Sequence, residues 1–174
     1  MLAELAEHGY ARLTVEGVAV RARTGKASIY RRWPARADLV REAIAFVLDS
    51  AIEPPDTGGF RDDVLRLCLD VAELLAGVTG EVMRGLVGDG RRDLDRTDEV
   101  RRLVLGLGMN AMRDVTGRAV ARGEIGSESI TPNRLSAGPT LIYAHFLFGA
   151  KAPAEELVTQ LVDEVIIPLF RAGS

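Results

Sequence analysis

The chain has 174 residues, 47% of them hydrophobic and 27% charged, proportions that suit an ordinary globular protein and exclude a disordered, fibrous or membrane-embedded one. A single cysteine, Cys68, excludes an internal disulfide and fits a reducing cytoplasm; between Leu67 and Leu69 it reads as a buried thiol without a redox partner. The net charge of −3 argues at first sight against a nucleic-acid partner, but the charge is segregated: residues 1–48 hold eight Arg/Lys against five Asp/Glu, the remainder 14 against 20. A local basic surface is what phosphate binding needs, whatever the total.

In chain order, Met1 to His8 reads as the last turns of a first helix, with Leu2, Leu5 and Ala6 on one face and Gly9 closing it. Thr14 is an N-cap, Glu16 places negative charge in the first turn, and Val15, Val18, Ala19 and Ala22 line one narrow apolar face. Arg23-Thr24-Gly25 breaks that pattern, and helical character resumes from Lys26 to Arg32 around a small apolar contact at Ile29. Two helices this short, joined by about 3–4 residues that include a glycine, form a helix-turn-helix, whose second helix enters the DNA major groove. Arg outnumbers Lys by 20 to 2, so a lysine at position 26 hints that an ammonium is wanted there.

The run from Ala22 through Lys26, Tyr30, Arg31, Trp33 and Pro34 to Arg36, followed by the helix of Asp38-Leu39-Val40, resembles the signature of the TetR family. The likeness covers roughly residues 2–48, and its specific part is Lys-x-x-x-Tyr-Arg-x-aromatic-Pro. It implies a dimeric, all-helical one-component bacterial regulator, with an N-terminal DNA-binding domain and a C-terminal ligand-binding and dimerisation domain. One departure is Arg23, where the family usually has a turn glycine; a left-handed residue with a side chain costs about 1 kcal/mol or more. Either the turn is reshaped or Gly25 absorbs that strain. The first helix also reads as shortened relative to the family, through a misplaced start, a trimmed end or a natively short helix.

Pro34 stops the recognition helix, and Ala35 to Ala51 forms a connector with Leu39, Val40, Ala43, Ile44, Val47 and Leu48 on a broad apolar face. Glu53 to Gly59 is rich in helix breakers and marks a boundary between domains at 1–50 and 55–174. Beyond it, helix five spans Phe60 to Ala76, Gly77 to Gly80 is a turn, and a short sixth helix covers Glu81 to Val87, ended by Gly88-Asp89-Gly90. A long seventh runs from about Asp95 to Arg122, with Val100, Leu103, Val104 and Leu107 among its inner residues and glycines at 106, 108 and 117 interrupting it. Helix eight, Asn133 to Gly149, is bent at Gly138-Pro139; helix nine starts at Pro153 and kinks at Pro168. The fold class is therefore all-α, about nine helices, with no strand pattern in competition.

At the start of the recognition helix Lys26, Ala27 and Ser28 face base edges; a lysine there most often reads guanine. The resemblance puts Tyr30, Arg31 or Arg32 on phosphates, with Arg36 and the Thr14 end of helix two as further clamps, contacts that fix register without reading sequence. Trp33 is expected under the helices. In the C-terminal half Met83, Leu107, Met109, Asn110, Met112, Tyr143, His145 and Phe146 are candidates for an effector pocket, although at helical spacing such residues more often form plain core, and His145 is expected to be buried and hydrogen-bonded. Helices eight and nine are apolar on more than one face, so one face needs a partner to cover it. The resemblance implies that the partner is a second copy, with Leu141, Leu157, Leu161 and Val165 at a four-helix homodimer interface. No catalytic constellation is present, no Cys/His spacing suits zinc, and the longest apolar stretch, Leu141 to Ala150, is too short to span a bilayer. An acidic, amphipathic N-terminus does not read as a secretory leader, so the location expected is cytoplasmic.

The function implied is a ligand-responsive regulator, most naturally a repressor, that binds a near-palindromic double-stranded operator as a homodimer and is released by a small apolar or amphipathic effector. It needs no cofactor, metal or membrane. The competing reading is a ligand-binding and dimerisation module whose shortened first helix impairs DNA binding.

Overall fold

The computed structural model describes residues 1–90, 94–149 and 151–171. Among them are ten α-helices and no strand: α1 (Leu2–Arg12), α2 (Val15–Arg21), α3 (Lys26–Arg32), α4 (Arg36–Ala51), α5 (Phe60–Ala76), α6 (Val78–Gly90), α7 (Leu94–Ala121), α8 (Pro132–Phe148), α9 (Glu155–Leu161) and α10 (Ile167–Arg171). A 3-10 turn, Ser127–Ser129, precedes α8, and a π turn, Val162–Ile166, joins α9 to α10.

The first three helices share one small core built from Leu5, Leu13, Val15, Val18, Ala19 and Ile29. Its helix α1 does not stop at Gly9: the chain takes φ 70°, ψ 170° there and then turns on to Arg12. A side chain at that point meets α6 as well as an unfavourable φ, since a Cβ on Gly9 would lie 2.4 Å from Glu81 Oε1. Behind α1, Glu4 is buried and accepts from Arg21 Nε at 2.8 Å, which ties α1 to the end of α2. The Thr14 hydroxyl caps α2 by accepting from the Gly17 N–H at 3.0 Å. The strain anticipated in the turn falls on Arg23 itself, at φ 51°; Gly25 is extended (φ −78°, ψ 143°) and absorbs none of it.

The larger group of helices is organised around α5, which packs against α6, α7, α8 and α9. Its inward face carries Phe60, Val64, Leu67, Cys68, Val71, Ala72 and Leu75 at the i, i+3, i+4, i+7 spacing of a helix stripe. Burial pushes the Cys68 thiol up to about 12, so it stays protonated and inert at neutral pH. The bounds of α6 and the form of the last helix differ from the sequence reading. Helix α6 begins at Val78 and continues to Gly90 across its glycines. Gly80 is there for close approach: a Cβ would fall 1.9 Å from the Leu75 carbonyl oxygen and 2.8 Å from Phe146 Cζ. At the other end of the chain, the kink expected at Pro168 is spread over the π turn before it. There the Ile167 N–H donates to the Val162 carbonyl five residues back. Pro168 has no N–H to continue an ordinary ladder, and a widened turn accommodates that loss. Pro139 sits inside α8 without ending it. The side chains of Leu2, Ala6, Ile44, Val47, Leu48, Val100, Leu103 and Val104 lie outside the described residues.

The boundary segment is fastened to the ends of α5 and α7. Asp63, fully buried, accepts from the Thr57 hydroxyl at 2.8 Å and from Arg122 Nη2 at 3.0 Å. Arg118 donates to the carbonyls of Pro54 and Pro55, and Glu124 accepts from the Phe60 N–H at 2.7 Å. Burial alone would raise the Asp63 carboxyl, but the Thr57 and Arg122 hydrogen bonds outweigh it and leave the group below its ordinary value of 3.8. Glu124 is lowered from 4.5, mainly by the Phe60 N–H and then by Arg122. A carboxyl depressed in the folded state contributes stability above its unfolded pKa and loses it as pH falls through the folded one. Thermal melting is therefore expected to weaken steeply below about pH 4, the region of unperturbed carboxyls, with little change from these groups near neutrality.

Candidate nucleic-acid interface

Helix α3 is anchored by a single side chain. Ile29 is 4% exposed, and it alone among the seven residues of the helix is buried. Lys26, Ala27, Ser28, Tyr30, Arg31 and Arg32 all face solvent. Burying one isoleucine recovers roughly 1.5–3 kcal/mol, little for an isolated seven-residue segment, so α3 owes its helical form to the turn before it and to α2 beneath it.

Two of the cations on this helix have carboxylate partners. Lys26 Nζ lies 2.6 Å from Glu16 Oε1, with both side chains about half exposed. Arg32 Nη2 donates to Glu42 Oε1 at 2.8 Å, and the other oxygen, Oε2, accepts from Trp33 Nε1, also at 2.8 Å. The Arg32 guanidinium rests over the Trp33 ring, 4.8 Å from its centroid. Trp33 is therefore a half-buried bracket between α3 and α4 rather than a fully covered core residue. The Trp33 hydrogen bond and then Arg32 hold the Glu42 carboxyl below the usual carboxylate range. Arg36, half-buried, donates to the Leu13 carbonyl at 3.3 Å, and Arg31 stands exposed at the end of α3. Thr14 lies exposed at the start of α2. The pairing of Glu16 with Lys26 and of Glu42 with Arg32 escaped the sequence reading, which took Glu16 only as first-turn charge on α2. Each is ten residues from its cation and on a different helix, so no helical spacing rule brings the pair together.

The residues assigned to an effector pocket do not form one group. Met83, Met112, Tyr143 and Phe146 are buried, and Met109 is half-buried. Asn110 and His145 are exposed. The buried stripe of α8 runs through Leu135, Gly138, Pro139, Ile142, Tyr143 and Phe146, which leaves His145 on another face, contrary to the burial expected of it. The side chain of Leu107 lies outside the described residues. A small cavity of about 10 Å³, room for no more than a water, is lined by Leu67, Cys68, Val71, Gly108, Met112, Pro139 and Ile142. Burial raises the Tyr143 hydroxyl to about 12. Among the described residues no three His, Cys, Asp or Glu are grouped to hold a metal ion, and no helix is long and apolar enough to cross a membrane.

Of the residues assigned to a dimer interface, Leu141, Leu157 and Leu161 are half-buried and Val165 is 37% exposed. Leu147, Phe148 (92% exposed) and Leu169 are further exposed apolar side chains on α8 and α10.

A small core has no use for a helix that keeps six of its seven side chains in water, most of them polar or cationic; a duplex groove does. The fold and this face define a helix-turn-helix DNA-binding transcriptional regulator. Residues 2–43 match the family described as "Bacterial regulatory proteins, tetR family", and residues 54–165 match "Tetracyclin repressor-like, C-terminal domain". The chain belongs to the TetR family of transcriptional regulators. An uncharacterized HTH-type transcriptional regulator of Mycobacterium tuberculosis is 34% identical over 167 residues, which cover 94% of this chain and 81% of that protein. A protein of Mycobacteroides abscessus called "DNA-binding transcriptional repressor TetR" is 27% identical over 182 residues, covering 98% and 90%. In fold, the crystal structure of the TetR family transcription regulator SCO0332 superposes with a TM-score of 0.75 at 23% identity, covering 95% of this chain and 91% of that one. The family is one of transcription regulators and not of enzymes. These likenesses do not favour the reading in which a shortened first helix has cost the chain its DNA binding.

Proposed function

We propose that the protein is a homodimeric, effector-responsive transcriptional repressor, acting in the cytoplasm on a near-palindromic operator. The observation that carries this reading is α3, cationic and exposed along every side but that of Ile29. Residues 1–50 would form the DNA-binding domain and 55–174 the ligand-binding and dimerisation domain. Lys26, Ala27 and Ser28 would meet base edges, while Thr14, Tyr30, Arg31, Arg32 and Arg36 would hold phosphates. The dimer would close over the exposed apolar side chains of α8 and α10 together with Leu141, Leu157, Leu161 and Val165. Large exposed side chains such as Phe148 support a covered face there. The repressor sense is supported by the name carried by the Mycobacteroides relative.

For the effector, an apolar or amphipathic molecule is supported by the lining of the small cavity, which offers no charged or hydrogen-bonding side chain beyond the Cys68 thiol. It would enlarge the space beside Met112, with Met83, Leu107, Met109, Tyr143 and Phe146 adjusting around it; Asn110 and His145 would reach it only from the outer surface. Helix α4 packs against α6 and α7, so a shift of either would move the DNA-binding helices. For 100-fold weaker operator binding, the effector must prefer the DNA-incompetent state by about 2.7 kcal/mol. A mobility-shift titration against duplexes from the DNA flanking the coding region tests the reading. One duplex is expected to bind at least about 10³-fold tighter than random sequence, with two protomers bound. Equal affinity for all duplexes would overturn it.

A further inference from the structure

We propose that Glu16 sets DNA specificity by holding Lys26 away from the backbone of non-operator DNA: its carboxylate occupies the ammonium that a phosphate would otherwise take. The inference rests on the DNA-binding reading of α3 and adds to it a built-in competitor. The five acidic residues of the N-terminal 48 divide cleanly by what they hold. Glu4 and Glu7 pair with Arg21, on the α1 side of the fold. Asp38 accepts from the Ala35 N–H at the start of α4 and lies 3.6 Å from Arg41. Glu42 is shared between Arg32 and Trp33 Nε1 and so belongs to the α3–α4 bracket. Glu16 alone reaches the first residue of the recognition helix, with Oε1 2.6 Å from Lys26 Nζ.

Both members of the pair are about half exposed. A pair of that kind is weak and easily exchanged, so it biases Lys26 without locking it. Affinity for arbitrary DNA comes from cations that displace the counterions of phosphates, and each cation engaged adds about 0.9 to the slope of log K against log[salt]. A lysine already matched to a carboxylate gains little by moving to a phosphate, and Glu16 is left facing the backbone with its charge exposed. At the right base pair the exchange is different. Lys26 can donate to guanine O6 and N7, and a carboxylate beside it can accept from the cytosine N4 amine. Discrimination then arises from a penalty against wrong partners as much as from a reward for the right one. The Lys26 hydrogen bond, first among its causes, also keeps the Glu16 carboxyl below the usual range, so the competitor is charged throughout the neutral region.

Fluorescence anisotropy with the full-length protein tests this, using a random-sequence duplex and the tightest-binding natural duplex between about 50 and 200 mM salt. Glu16→Gln is expected to bind random DNA about 5- to 10-fold tighter, with a slope steeper by about 0.9 per protomer, while the operator-to-random ratio falls. Adding Lys26→Ala to Glu16→Gln is expected to remove that gain. Unchanged random-DNA affinity in Glu16→Gln, with melting showing the variant folded, overturns the proposal. So does a gain that persists in the double variant, which would mark a bulk charge effect. If the unsubstituted protein shows no salt-dependent binding to any duplex, the DNA-binding reading itself has failed, an outcome distinct from salt-dependent binding that ignores Glu16.

Discussion

Lys26→Ala combined with Tyr30→Ala is expected to weaken operator binding about 100-fold or more while leaving the melting transition in place. A well-placed base contact by a lysine or arginine is worth about 1–3 kcal/mol of discrimination, and a hydroxyl hydrogen bond to a charged phosphate oxygen about 1.5–3 kcal/mol. Even the lower ends of those ranges, felt in both halves of a dimer, exceed the roughly 1.4 kcal/mol that corresponds to a factor of ten. Stability is spared because neither side chain belongs to the core: Tyr30 is 44% exposed, and Lys26 is exposed and paired with the exposed Glu16. The salt dependence separates two roles for Lys26. A slope flatter by about 0.9 per protomer places the ammonium on phosphate, whereas lost affinity at one base pair with little change on random DNA places it on a base edge. Unchanged affinity and slope in the double variant would remove α3 from the interface.

The largest stability effect is expected at Asp63. Asp63→Asn keeps the size of the side chain but removes the charge that answers Arg122, and it replaces one accepting oxygen by an NH2 group that must face a donor, either the Thr57 N–H and hydroxyl or the Arg122 guanidinium. Breaking a buried ion pair by changing one partner costs about 3–5 kcal/mol. Arg122 is partly exposed and keeps Glu124 and Asp56 as partners, so a loss near the lower end, about 3 kcal/mol, is expected. For a chain of this length that is a fall of about 6–12 °C in Tm. Asp163→Asn is the control: it removes the Arg61 partner, but both side chains of that pair are about 40% exposed, and such pairs contribute little. The cost of Asp63→Asn is also expected to shrink as pH falls below about 4, where the unfolded carboxyl takes up its proton, and to be lost only once pH passes below the depressed value of the folded carboxyl. A Tm unaffected at neutral pH would mean that the boundary segment is not held through Asp63.

What the chain made legible was local. Thr14, Val15, Val18 and Ala19 predicted α2 because a cap and a 3.6-residue stripe are written in adjacent residues, and Phe60 to Ala76 predicted α5 from its helical stripe alone. The exposure of α3 followed from having one large aliphatic residue, Ile29, among seven. What stayed hidden depends on partners distant in sequence. Gly80 reads as a helix breaker until the Leu75 carbonyl and Phe146 are seen to leave no room for a Cβ. His145 sits in an apolar run, and only the register of α8 against α5 and α7 turns it outward. The π turn answers a proline that the sequence displayed, but its form depends on how Val162, Ile166 and Phe170 reach the core together. On the exposed face of α3, cationic residues were readable one by one, whereas their pairing with Glu16 and Glu42 needed the helices to be placed.

Hydroxyl-radical footprinting of the protein on its tightest-binding duplex tests the central claim most directly, because it reports geometry as well as binding. Two protected segments on one face of the duplex are predicted, related by a two-fold axis and centred about 10–10.5 base pairs, or a whole multiple of that, apart. A single protected tract, or two whose separation corresponds to no whole number of helical turns, would contradict it.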